Sequence, residues 1–310
     1  RMDFYIFLSV LLLSSIFAPI IQKFFLRLNK VDSINQRSSH TGVATRTGGA
    51  SSFITIFLIS LYWYIIGIEP YDFSILIPIS IMFIIGIYDD FYNADFKLKF
   101  FIQIIAAKMI IDQGFVIDNF YGVLWLNEIP RIGAQLFTVF VFLIIVNSIN
   151  FIDGIDGIAI IEFIKIIFFV EFLNSGDSVL LILSFVTIVS LLPLLFFNHK
   201  KHNKIFLGDA GSLFLGTIIA IYTFYLLGPS YKMAIEFNKP LLSILILLYP
   251  LTDLLRVFII RVKNKKSPFQ PDKNHLHHIL LNRGLSHWKI SIILPIGFLI
   301  LSMGIIFLLK

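Results

Sequence analysis

The 310-residue sequence contains no cysteine. Disulfides, thiolate nucleophiles and zinc–thiolate centres are therefore excluded. Charge is scarce as well: 14% of residues are Asp, Glu, Lys or Arg, where a soluble domain carries about 25%. No low-complexity tract, internal repeat or linker-like stretch divides the chain, so residues 1–310 read as one domain. No G-x-x-x-x-G-K-[ST] run occurs either, which leaves ATP-driven transport without support.

What fills the chain is apolar: 57% of its residues are hydrophobic. A helix crossing a hydrocarbon layer of roughly 30 Å needs about 20 such residues. Uncharged runs with polar flanks lie near 4–22, 49–68, 73–88, 100–117, 135–150, 155–173, 178–197, 212–228, 240–260 and 288–309. The expectation is an all-α polytopic membrane protein of about ten transmembrane helices. The run at 155–173 is the least regular, because it holds Glu162, Lys165 and Glu171.

The net charge of +6 is explained by topology and does not call for nucleic acid, because the basic residues sit beside the spans. One set of alternate loops holds 17 Lys and Arg residues and the opposite set holds 5. The richer set is expected to be cytoplasmic, which puts both termini outside. The first run has its basic residues after it and no small-residue cleavage site, so it reads as a retained anchor.

Four polar clusters fall on the cytoplasmic side of this topology. Asp89-Asp90 closes the third run, with Lys97, Lys99 and Gln103 behind it. The pair is either a solvated helix end or an acid pair with cations within two helical turns. Asn147, Asn150, Asp153 and Asp156 recur every third residue, with Gly154 and Gly157 leaving the backbone bare beside the acids. A polar helix end would not need that register. Gly208-Asp209-x-Gly211-Ser212 opens the eighth span, where Asp209 is a helix cap or, in company with the second cluster, a metal ligand. His275, His277 and His278 stand in a basic loop. They are donors to phosphate, or part of a surface drawn to anionic lipid. Zinc would want about four N or S ligands, and no thiolate exists to complete such a set. Oxygen ligands point instead to a hard cation, Mg2+ or Mn2+, and a metal with cations at a membrane face fits phosphoryl transfer to a lipid.

With these residues in view, the chain resembles the polyprenyl-phosphate N-acetylhexosamine-1-phosphate transferases, the group containing the MraY, WecA and TagO enzymes. The matching elements are Asp89-Asp90, the N-x-x-N-x-x-D-G-x-D-G run from Asn147 to Gly157, Gly208-Asp209-x-Gly211-Ser212 and His275-x-His277-His278. A loop from Asn35 to Gly42 and Pro250-x-x-Asp253 match as well. The resemblance implies ten or eleven helices around a cytoplasmic cleft in a bacterial inner membrane, and a homodimer in some members. It implies that Asp209 and Asn150 ligate Mg2+ and that Asp153 and Asp156 hold the nucleotide-sugar end. Phe206 would stack on uracil, and Asp89 and Asp90 would place or deprotonate the lipid phosphate. Lys97, Lys99, Asn147 and the histidines would bind substrate, with Lys99 and the histidines gripping the diphosphate. The spaced histidine motif is similar to that of the branch using UDP-N-acetylglucosamine and undecaprenyl phosphate, and less so to the phospho-MurNAc-pentapeptide transferases of peptidoglycan synthesis. Two other classes compete. A transporter would carry its ionisable groups at mid-membrane, and a lipid phosphatase would need no nucleotide cleft.

Overall fold

The computed structural model describes residues 2–31, 44–200, 202–267 and 274–309. The loop Asn35–Gly42 lies outside them. Twelve α-helices hold most of the described residues. In chain order they begin with α1 (Met2–Arg27), α2 (Gly48–Ile65), α3 (Leu76–Tyr92) and α4 (Phe96–Asp112). Next come α5 (Arg131–Ile152), α6 (Ile158–Leu173), α7 (Leu181–Asn198) and α8 (Gly208–Leu227). The series ends with α9 (Lys239–Ile246), α10 (Leu248–Lys263), α11 (Leu276–Asn282) and α12 (His287–Leu308). Two short strands, β1 (Ala44–Thr45) and β2 (Lys204–Ile205), pair in parallel with Thr45 opposite Ile205.

Every apolar run found in the sequence carries a helix, but the runs are not equivalent. Seven helices among the described residues are long and apolar enough to cross a membrane: α1, α2, α3, α5, α7, α8 and α12. The chain is thus an all-α, multi-pass membrane protein, as expected. In hydrocarbon only a segment that bonds its own backbone can span, and a helix does so without an edge. The run at 100–117 becomes the 17-residue α4 and the run at 155–173 the 16-residue α6. At 1.5 Å per residue these are about 24–26 Å long, short of the full core. Inside α6 the awkward charges neutralise each other, with Lys165 Nζ 2.6 Å from Glu162 Oε1.

The ninth run breaks into α9 and α10, bent by 73° at Leu247. Pro250 supplies the cause. It has no N–H to offer the Ile246 carbonyl, so the helix cannot run straight through. Counted as one span, the bent pair would be an eighth, and its second half carries Arg256, Arg261 and Lys263.

α8 forms the axis and is buried along its whole length. Its first turn touches two neighbours backbone to backbone. A Cβ on Gly49 of α2 would fall 2.4 Å from Gly211 Cα, and one on Gly86 of α3 would fall 2.5 Å from Ala210 Cα. That close approach needs glycine at both crossings. It brings the ends of α2, α3 and α8 to one place, where β1 and β2 also pair.

Candidate active site

The third helix stops at Asn93, whose left-handed backbone (φ 53°) caps it, so its last turn presents Asp89 and Asp90. The two acids do different work. Asp90 Oδ1 accepts the amide of Asp209 at 3.0 Å and its Oδ2 accepts that of Ala210 at 2.9 Å. Those are free amides of the first turn of α8, and a carboxylate there satisfies them and opposes the helix dipole. Arg46 Nη1 stands 3.7 Å from the same carboxylate. Asp90, expected beside the lipid phosphate, ties α3 to α8 through these two amides.

Asp89 is 6% exposed. Its Oδ2 takes a 2.6 Å ion pair from Lys99 of α4, and its Oδ1 accepts the Ala94 amide at 2.7 Å. The Asp209 carboxyl is its hydrogen-bonding neighbour. Asn150, on the last turn of α5, donates to Asp209 Oδ1 at 2.7 Å and to Ser212 Oγ at 2.8 Å. One turn back, Asn147 pairs its amide with Gln103 Oε1 at 2.8 Å. The first, second and third sequence clusters are thereby joined at one point.

Asp153 follows the end of α5. Burial first, then the charge of Asp209, pushes its carboxyl up to about 8 against the pull of Arg46. Asp156 behaves oppositely. Its Oδ2 is paired with Lys204 and lies 3.2 Å from His287 Nδ1, and its carbonyl accepts Ser291 Oγ at 2.5 Å. Although burial opposes it, the bonds from His287 and Lys204 hold this carboxyl below the usual range. It fastens the start of α12 to the loop before α8.

Beside this cluster opens a cleft of about 330 Å³. Of the residues singled out in the sequence, Lys99, Asn147, Asn150, His275, His277 and His278 line it. The acids Asp89 and Asp209 stand one bond behind it, through Lys99 and Asn150. Asp90, Asp153, Asp156, Lys97 and Phe206 are not on its wall. Lys97 is exposed, and Phe206 sits under Lys204, whose Nζ is 5.9 Å from the ring centroid.

His277 is fully buried, and among the described residues neither ring nitrogen has a hydrogen-bond partner. Its ring stacks on His275 at 5.5 Å and occupies the space a Cβ on Gly154 would need, 2.2 Å from Nε2. That contact explains the glycine. Burial, with the neighbouring His278 and His275, pushes His277 down to about 3, so the ring is neutral. The sequence reading missed Arg261 and Phe151 on the same wall, where the guanidinium lies 5.7 Å from the phenyl centroid. In sequence Arg261 is one of many basic residues beside a span, and only its burial in the last turn of α10 marks it out.

The residues suit a hard divalent cation. Asp89 and Asp209 face each other, and two ionised carboxylates in that position repel unless a proton or a cation lies between them. Asn150 adds a further side-chain oxygen. Among the described residues no group of three or more His, Asp or Glu side chains forms a metal cage. An open site of that kind matches Mg2+, which keeps water and phosphate ligands beside one or two carboxylates.

A family model described as glycosyl transferase family 4 matches residues 73–227. A Bacillus subtilis protein named as a probable undecaprenyl-phosphate N-acetylglucosaminyl 1-phosphate transferase is 36% identical over 94% of this chain and 81% of its own length. A Haemophilus influenzae undecaprenyl-phosphate alpha-N-acetylglucosaminyl 1-phosphate transferase is 31% identical over 83% of this chain and 73% of its own. A Salmonella typhi protein of that second name is 26% identical over 95% of this chain and 81% of its own.

Proposed function

The chain belongs to glycosyl transferase family 4, and from that membership we propose that it moves N-acetylglucosamine 1-phosphate from UDP-N-acetylglucosamine to undecaprenyl phosphate, releasing UMP. The observation that carries this reading is the meeting of Lys99–Asp89 with Asn150–Asp209 at the edge of a cleft lined by three histidines and Arg261. The names of the relatives favour N-acetylglucosamine over a MurNAc-pentapeptide donor.

In this proposal an oxygen of the lipid phosphate attacks the sugar-linked phosphorus, and the bond from that phosphorus to UMP breaks. Asp209 and Asn150 would hold the cation. Bound there, Mg2+ would offset charge on the diphosphate and on departing UMP. Lys99, held straight by Asp89, and Arg261 face the diphosphate. Asp89 and Asp90 already spend both carboxylate oxygens on Lys99 and on backbone amides. That favours direct displacement over a phospho-aspartate step. Placement of the cleft in the cytoplasm rests on the 17-to-5 excess of basic residues on its side of the membrane.

Purified protein mixed with Mg2+, UDP-N-acetylglucosamine and undecaprenyl phosphate should release UMP and yield the lipid-diphosphate sugar in equal amounts. UMP release that ignores the lipid, or free phosphate from the lipid alone, would refute the reading. The orientation is tested separately. The chain has no cysteine, so one placed at exposed His202 should be labelled only from the cytoplasmic side.

A further inference from the structure

Asp253 lies within α10 and is 0% exposed, an expensive place for a carboxylate. Three donors converge on it. His275 Nδ1 stands 2.7 Å from Oδ2, the Leu276 amide donates to Oδ1 at 2.8 Å, and Arg256 reaches Oδ1 at 3.4 Å. Arg256 also donates to the Asn274 carbonyl. The acid therefore ties the residue before α11 and the first residue of α11 to the bent helix. Nothing else on α10 bonds the His275 ring among the described residues.

The geometry fixes the chemistry of that ring. A nitrogen facing a buried carboxylate at this distance carries the proton. Nε2 is on the far edge of the ring, and His275 lines the cleft. Phe151, 5.8 Å away on one side, and the His277 ring stacked at 5.5 Å limit its rotation. With Nδ1–H committed to Asp253, a second proton on Nε2 makes an imidazolium paired to the carboxylate behind it. A backbone carbonyl in the place of Asp253 would orient the ring but would not balance that charge.

We propose that Asp253 is a positioning residue for the transfer: its carboxylate holds the His275 ring with Nδ1 protonated and presents Nε2–H to an oxygen of the donor diphosphate. This rests on reading the cleft as the diphosphate site. Asp253 touches no substrate and acts through His275. An asparagine would still accept the Leu276 amide, but it would turn its NH2 toward Nδ1 and displace the proton there. Partners that orient metal-ligating histidines contribute about 10–100-fold, and the same scale is expected of one that orients a histidine on a diphosphate.

The test uses full-length protein in lipid, labelled with 15N-histidine, with the His275 signals identified by their loss in His275→Gln. The unmodified protein should show a protonated Nδ1, and Asp253→Asn should lose it. In the transfer assay, Asp253→Asn should raise the KM for UDP-N-acetylglucosamine about 10–100-fold, with kcat changed far less. The double variant Asp253→Asn/His275→Gln should be no worse than His275→Gln alone, because one acts through the other. An unprotonated Nδ1 in the unmodified protein, an unchanged KM, or additive losses would each overturn the proposal. If Asp253→Asn does not fold, Asp253→Glu, which keeps the carboxylate, should retain the Nδ1 proton, and its loss there would count equally against it. Failure of the unmodified protein to release UMP would sink the proposed reaction, whereas turnover with an indifferent Asp253→Asn would sink only the role of Asp253.

Discussion

The two ends of the bundle both gather acids, bases and tyrosines, yet they use them differently. At the end opposite the cleft, Glu171 Oε1 accepts Tyr222 Oη at 2.6 Å and Ser178 Oγ at 2.8 Å. Lys239 donates to the Gly228 and Tyr231 carbonyls at 2.6 and 3.1 Å, and Tyr231 Oη donates to the Val170 carbonyl at 2.7 Å. Around Glu171 and Lys239 donor meets acceptor and chain segments are tied together, although Gln113 Oε1 on the same end has no partner among the described residues. At the cleft end, His277 leaves both ring nitrogens without a partner among the described residues, and Asp89 faces Asp209. A buried polar atom without a partner forfeits about 1–3 kcal/mol. At Glu171 and Lys239 the bonds are completed within the protein, whereas the His277 ring and the Asp89–Asp209 pair leave bonding open to something else.

The largest test of that contrast removes the cation ligand. Asp209→Ala or Asn150→Ala should cut Mg2+-dependent turnover by about a thousandfold, or about 4 kcal/mol in the barrier. Folding should survive, because Asp90 still caps α8 through backbone amides. Near-normal turnover by Asp209→Ala would erase the distinction between the two ends.

A second test reads the open histidine. His277 sits at about 3 in the fold and returns to about 6.5 when α11 opens to water. A group whose folded value is depressed holds its stabilisation above the unfolded value and loses it as pH falls. α11 should therefore be firmest above pH 6.5 and loosen from there toward pH 3. By pH 5 the loss is about 2 kcal/mol, or roughly thirtyfold in its opening equilibrium. Hydrogen exchange of the Leu276–Asn282 amides measures it. His277→Gln should remove that part of the pH dependence, and identical profiles for the two proteins would show that burial of this ring has no cost.

Asp89 sharpens the contrast within the cleft end itself. Because its oxygens hold Lys99 and the Ala94 amide, Asp89→Asn should misplace Lys99 and lower turnover at least about tenfold, or about 1.4 kcal/mol. The lipid phosphate is already mostly dianionic above a pKa of about 6, so the deficit should persist from about pH 6 to pH 9. Recovery at high pH would mean that Asp89 serves as a base.

Much of this was legible before any coordinates. Period and run length gave every helix but α11, since lipid leaves the backbone no alternative; the short α11 begins at Leu276, inside what the sequence shows only as a basic histidine loop. The spacing of Asn147 and Asn150 placed both on one face of α5, and their partners, Gln103 and Asp209, were already suspected. What the sequence hid were pairings across the chain. Asp89 and Asp90 are adjacent in sequence, and only the 119-residue reach from Asp90 to α8 separates their tasks. Asp156 shares a motif with Asp153, yet Lys204 and His287 draw it into a fastening. Arg261 was lost among other basic residues because charge counting cannot see burial. The bend at Leu247 was implicit in Pro250, but a hydropathy window averages across it.

The smallest expected effect belongs to the opposite end, and it decides whether that end is only a fastening. Glu171 is an acid on a helix already short for a span, and on composition alone it looks as functional as Asp209. Glu171→Gln keeps an oxygen that can accept Tyr222 Oη and Ser178 Oγ, so the bonds persist while their charge assistance goes. A neutral hydrogen bond contributes about 0.5–1.5 kcal/mol and one to a charged group about 1.5–3. The difference, about 1 kcal/mol, should appear as a lower melting temperature in detergent. Turnover should stay within about threefold of the unmodified protein, because a 1 kcal/mol loss shared by the whole fold adds little to a barrier at the far end. If Glu171→Gln instead lost turnover as Asp89→Asn does while melting normally, saturation of hydrogen bonds would not mark a fastening. The acid on α6 would then belong to the reaction.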